Sequence, residues 1–190
     1  MPTRLPTRPL TDDYVLADEA RAAEGRINQH QLTILAAGLA DVVGMAGGWL
    51  FDRARAGWDV SVRVEGCRDL RPLMILGANV VDESTETVLS DLPPGAALAV
   101  SAELLNDDPH MRAHVFELVN SGDAEVMAWG DVWPAQLGGH VDATEHRLSV
   151  AARAFKARAL AAAELAPAVG ATETFFDLGA ESPLRPLCSV

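Results

Sequence analysis

The chain has 190 residues, 49% of them apolar, and its 15 basic residues against 27 acidic ones leave a formal charge of −12. That length suits one domain with a real core, and the apolar share excludes a chain that is disordered throughout. The net negative field repels phosphate backbones and argues against general nucleic-acid binding, while Cys67 and Cys188, far apart with no CxxC spacing, define neither a metal site nor a disulfide framework.

Residues 1–25 read as a flexible segment, with Pro2, Pro6 and Pro9 followed by Asp12, Asp13, Asp18 and Glu19. Arg4 and Arg8 precede no apolar run, so no secretory signal is visible and a cytoplasmic protein is expected. One α/β domain is expected over residues 26–165, and a tail over 166–190.

Leu32 to Val64 dominates the domain. Leu32, Leu35, Leu39, Val42, Ala46 and Trp49 are spaced by three and four, which predicts one long amphipathic helix, capped by Asn28 and stopped by Gly57. Asp41 and several small residues interrupt the apolar run, which favours a buried helix over a membrane span. Val60, Val62 and Val64 then alternate as a strand. Gly38, Gly44, Gly47 and Gly48 are costly inside a helix, by about 1 kcal/mol each against alanine. They admit close packing, or a break at Gly44–Gly48 that offers N–H groups to a ligand; with no strand expected before them, packing is preferred.

Leu70 to Gly77 holds the run Leu73-Met74-Ile75-Leu76, which suits a strand buried on both faces, a helical turn being the alternative. Val88 to Leu92 is a short helix or loop before Pro93-Pro94-Gly95. Ala96–Leu105 reads as a strand. Asp108 caps and Pro109 opens a helix over His110–Asn120, Gly122 ends it, and Ala124–Trp129 is a further strand. Gly130–Gly139 is loop-like. A last helix, Arg147–Leu165, carries an alanine-rich face and a basic one of Arg147, Arg153, Lys156 and Arg158. The fold class is therefore α/β: a small, mostly parallel sheet of three to five strands flanked by helices, with long N-terminal and C-terminal helices.

Ligands in open α/β sheets bind at the strand carboxyl ends. Asp107 and Asp108 follow one predicted strand and Asp131 follows another, so the three could form an acidic cluster that acts as a base or holds a divalent cation. The plainer reading gives Asp108 to its helix cap and leaves the others solvated. His110 and His114 have metal-ligand spacing on one helix face, and His140, Asp142 and His146 could add nitrogen and oxygen donors, although no HExxH pattern is present. Ser101, Ser149 and Cys67 lack a GxSxG elbow or a placed base, and no GxGxxG or Walker pattern occurs. Trp49 and Trp129 fit a core, whereas Trp58 and Trp133, in loops, could line a partner surface.

The segment Glu173–Ser182, ETFFDLGAES, is similar to the FFDLG-x-x-S segment of carrier-protein domains, whose serine accepts phosphopantetheine. The resemblance covers ten residues and implies that role for Ser182; Pro183 departs from the pattern, and only eight residues remain after Ser182. Read by itself, the segment uses Phe175, Phe176 and Leu178 to anchor a tail in a groove, in cis or on a partner. With catalytic motifs missing, the expectation is a non-enzymatic protein working through protein–protein contacts, as an accessory or regulatory subunit or a homodimer. The alternative is a small-molecule or metal-dependent enzyme with an acidic site at the strand carboxyl ends.

Overall fold

Gln31–Ala36 forms a strand, β1, where the spacing predicted the first turns of a helix. The computed structural model describes residues 30–131 and 142–179. Leu32, Ile34, Leu35 and Ala36 are all buried, on both faces of the sheet. A central parallel strand is apolar on both sides, so its run carries no alternation, and Leu32, Leu35 and Leu39 happen to fall at helical spacing. The long N-terminal helix is thereby corrected. The helical part begins only at α1 (Leu39–Asp41), widens into a π-helical segment (Val42–Ala46) and continues as α2 (Gly47–Arg55).

The next strand is β2 (Asp59–Val64), with Val60, Val62 and Val64 turned into the core. Leu70 to Gly77 is not the strand first preferred but a helix, α3 (Arg71–Ile75). Pro72 sits in its first turn, and Leu73 and Leu76 are buried while Met74 is 68% exposed, so the run is one-sided. β3 (Asn79–Val80) and α4 (Thr85–Ser90) follow.

The predicted strand Ala96–Leu105 divides into β4 (Ala97–Ser101) and α5 (Ala102–Asp107). α6 (Pro109–Ser121) is capped by Asp108 and closed by Gly122 at φ 71°, in the left-handed region that glycine enters at no steric cost. It leads to β5 (Glu125–Trp129). β6 (Asp142–Arg147) occupies the approach to the last helix, α7 (Val150–Ala162), whose N-cap is Ser149, accepting from the Ala152 N–H. Within the expected tail, Thr172–Asp177 is a strand of the sheet, β7.

The sheet has seven strands in the order β3-β2-β1-β4-β5-β7-β6. The first five are parallel neighbours, and β7 runs antiparallel to both β5 and β6. The expected sheet of three to five mostly parallel strands is thus enlarged to a mixed one. One core packs Ile34, Val62, Trp49, Leu50, Leu73, Leu160 and Phe175 on one face of the sheet, and a second packs Leu35, Leu98, Val100, Leu105, Met111 and Val126 on the other. Among the described residues no helix is long and apolar enough to cross a membrane. Trp133, His140, Ser182 and Cys188 lie outside the described residues.

Candidate functional site

From β1 the sheet grows one way through β2 and the other way through β4, so the strand order reverses between β1 and β4. A doubly wound sheet opens a crevice at the carboxyl ends of such a pair. Three side chains meet there. Asp41 stands one short turn after β1, Ser101 ends β4 and Trp129 ends β5. Trp129, fully buried, donates its indole N–H to Asp41 Oδ1 at 2.9 Å. The other carboxylate oxygen, Oδ2, is buried with no partner at hydrogen-bonding geometry, and so is the hydroxyl of Ser101, a residue only 1% exposed that lies close enough to Asp41 to favour its charged form. Burial raises the Asp41 pKa above the ordinary carboxylate value, against the smaller lowering effects of the Ser101 hydroxyl, the Trp129 indole and the Ala37 backbone.

The turn that carries Asp41 is fixed from behind. Lys156 Nζ donates to the Gly44 carbonyl at 2.5 Å and to Glu173 Oε1 at 2.6 Å. Glu173 in turn accepts the Gly48 N–H at 2.9 Å and the Trp49 N–H at 2.7 Å, at the N-terminus of α2. A carboxylate suits the positive end of a helix, and an ion pair inserted beside the helical ladder accounts for its widening over Val42–Ala46. The alternative of a ligand-binding break at Gly44–Gly48 is not met: the helix widens but continues from Val42–Ala46 into α2, and the Gly48 and Trp49 N–H groups serve an internal carboxylate. Gly48 is also a packing glycine, since a Cβ there would come within 2.5 Å of Leu148 Cδ1.

In front of Asp41 lies a cavity of about 430 Å³, lined among others by Asp41, Ser101, Glu103, Asp107, Gly130 and Asp131. A neighbouring cavity of about 350 Å³ shares Gly130 and Asp131 and extends to Thr172, Thr174 and Phe176. The structure thus brings Asp107 and Asp131 to the same crevice, and adds Asp41, Ser101 and Trp129, which sequence reasoning missed as site residues. The available signal was a lone carboxylate, Asp41, set in an apolar run. Asp108 is elsewhere: its Oδ1 accepts from the N–H groups of His110 and Met111, as a helix cap.

His110 and His114 do share a cavity, of about 450 Å³, with Glu86 and Asp108. Yet among the described residues no three His, Cys, Asp or Glu side chains are grouped so as to hold a metal ion. His146 pairs with Asp52 Oδ2 at 3.0 Å, on the N-terminal side of α7. Burial would raise the Asp52 pKa, but hydrogen bonds from Ser149 and His146 outweigh it and hold the carboxyl below its ordinary value. Trp58 stacks on His30 at 4.8 Å and lies under the Arg53 guanidinium at 5.0 Å. Phe175 is fully buried at 4.6 Å from Trp49, so it anchors its strand in cis, and only Phe176 reaches a cavity. Cys67 is half-buried, its Sγ facing the Asp69 carbonyl at 3.4 Å, and burial raises its pKa, opposite to what a reactive thiol needs. The segment that resembles a carrier motif is β7 pairing inside a sheet.

No protein-family model matches the chain, and no curated protein matches it by sequence. Solved structures do match by fold. The deacetylase of the teicoplanin biosynthesis pathway, in complex with teicoplanin, superposes with a TM-score of 0.54 at 12% identity, over 77% of this chain and 97% of that one. A zinc-inhibited form of a teicoplanin deacetylase gives 0.52 at 13% identity, over 77% and 97%. The deacetylase of the A40926 pseudoaglycone gives 0.53 at 13% identity, over 79% and 97%. At such identities the likeness is one of fold. It overturns the expectation of a non-enzymatic accessory protein, which rested on missing motifs, because the architecture is one that enzymes carry.

Zinc, printed for one of these neighbours, can be tested against the residues of this crevice. Its innermost carboxylate, Asp41, is engaged by an indole N–H and flanked by a serine hydroxyl, and no trio of donors is grouped among the described residues. The described residues do not fit a zinc centre, which takes three or four nitrogen, sulfur or oxygen donors at about 2.0–2.3 Å.

Proposed function

We propose that the chain is a small-molecule enzyme with its reaction centre in the acidic crevice at the carboxyl ends of β1, β4 and β5, and that it hydrolyses an N-acyl group. The observation that carries this reading is the pair of unpartnered buried oxygens, Asp41 Oδ2 and Ser101 Oγ, side by side at the strand-order reversal. Buried polar atoms are normally satisfied, and a ligand in the crevice would satisfy these two. The fold likeness to deacetylases supports the reaction class.

The roles follow from the groups present. With its pKa raised by burial, Asp41 is suited to take a proton from water and pass it on to the departing amine. The water oxygen bonds the acyl carbon, the carbon–nitrogen bond breaks, and a carboxylic acid and an amine leave. The Ser101 hydroxyl can donate to the carbonyl oxygen as negative charge develops on it. No step here uses a metal. The test is release of free amine from a panel of N-acetyl amines by the purified chain and by Asp41→Asn. Release that depends on Asp41 supports the reading; no release from any compound, or release that Asp41→Asn leaves intact, refutes it.

A further inference from the structure

Four carboxylates line the crevice, Asp41, Glu103, Asp107 and Asp131, and among the described residues no Lys, Arg or His lines it with them. In the adjoining cavity the one cation among the described residues is Lys156, and Glu173 already neutralises it. A cavity walled by uncompensated like charge focuses its field on whatever enters and selects cations. The carboxylates are dispersed, however. A divalent metal needs its oxygens converging at about 2.0–2.6 Å, and among the described residues no trio of donors is grouped to do so. Dispersed acceptors suit an organic cation, which carries several N–H donors on a body large enough to span about 430 Å³. At the inner end wait the two unpartnered oxygens, one of them on a side chain that is 1% exposed.

We infer that the crevice recognises a protonated amine: its ligand is a small molecule bearing an ammonium group, held between Asp41 and the carboxylates of Asp107 and Asp131, with Ser101 taking a neighbouring polar atom. The inference rests on the crevice being the reaction centre, and it names what that centre retains. An N-acyl hydrolase releases an amine, so the site holds the product end of its reaction, or a substrate with a second amine.

Calorimetric titration tests this with glucosamine, tyramine and spermidine, each beside its N-acetyl derivative, and with zinc chloride alone. At least one free amine binds about tenfold or more tightly than its N-acetyl partner, a gap close to one unit of charge recognition. The preference shrinks as salt rises from low to physiological ionic strength. It shrinks again in Asp107→Asn/Asp131→Asn, two exposed sites where the fold is not at stake. Equal binding of the paired compounds, absence of binding by all three amines, or a preference untouched by the double variant overturns the inference. So does one-to-one zinc binding that Asp41→Asn abolishes. Amine binding without hydrolysis in the N-acetyl panel leaves the inference standing and removes the enzyme reading; hydrolysis with no amine preference does the reverse.

Discussion

Lys156 Nζ and Glu173 Oε1 are 2.6 Å apart, and both side chains are only 3% exposed. Lys156, the one lysine of the chain, comes from α7 and Glu173 from β7, and both reach the widened turn between Asp41 and α2. A buried pair so completely bonded contributes less than its Coulomb attraction suggests, but removing one partner strands the other charge. Lys156→Met should therefore cost about 3–5 kcal/mol in denaturant unfolding. Glu173→Gln leaves the buried Lys156 ammonium without its counter-charge and should cost a similar amount. Equal stability of wild type and Lys156→Met would mean that the pair is not formed.

The glycines of the same turn separate two kinds of packing. At Gly48 a Cβ would lie 2.5 Å and 2.6 Å from the two methyls of buried Leu148, while at Gly44 it would meet nothing within 4 Å. Gly48→Ala should lose about 1–3 kcal/mol by overpacking. Gly44→Ala should be neutral or gain up to about 1 kcal/mol from helix propensity. Thermal melts of the two single variants check the order.

Asp108 was a catalytic candidate by sequence and is a helix cap by structure. Asp108→Ala should lose about 0.5–2 kcal/mol of stability, the usual range for a lost N-cap. Folded Asp108→Ala should still bind amines in the crevice, whereas Asp107→Asn/Asp131→Asn should not bind them as well. A loss of amine binding in Asp108→Ala at unchanged stability would return that residue to the site.

Punctuation made part of the fold legible. Asp108-Pro109 and Gly122 bracket α6, and the short apolar run before Trp129 marks β5, because caps and strand ends are local chemistry. β1 was not legible, since a central parallel strand has no polar face to set its period. β7 hid for the opposite reason: one of its core-facing positions is Glu173, a charge that only Lys156 and two helix N–H groups make tolerable. The acidic crevice was half legible. Asp107 and Asp131 announce themselves in loops after strands, but Asp41 became visible only once β1 ended before it, and Ser101 and Trp129 only once the strand order placed β4 and β5 beside β1.

Asp41 carries the functional claim, and its burial gives the claim a second signature. Its folded-state pKa is raised, so the native state holds the proton more tightly than the unfolded chain and loses stability as pH climbs from the ordinary carboxylate value through the raised one. Asn at this position can still accept from Trp129 and carries no charge to desolvate, so Asp41→Asn should melt at or above the wild-type temperature at neutral pH. The deciding measurement is amine release from the N-acetyl panel by wild type and Asp41→Asn at matched folded concentration. The account predicts release by wild type and a loss of about a hundredfold or more in a variant that is at least as stable. Undiminished release by Asp41→Asn, or none by wild type, would contradict it.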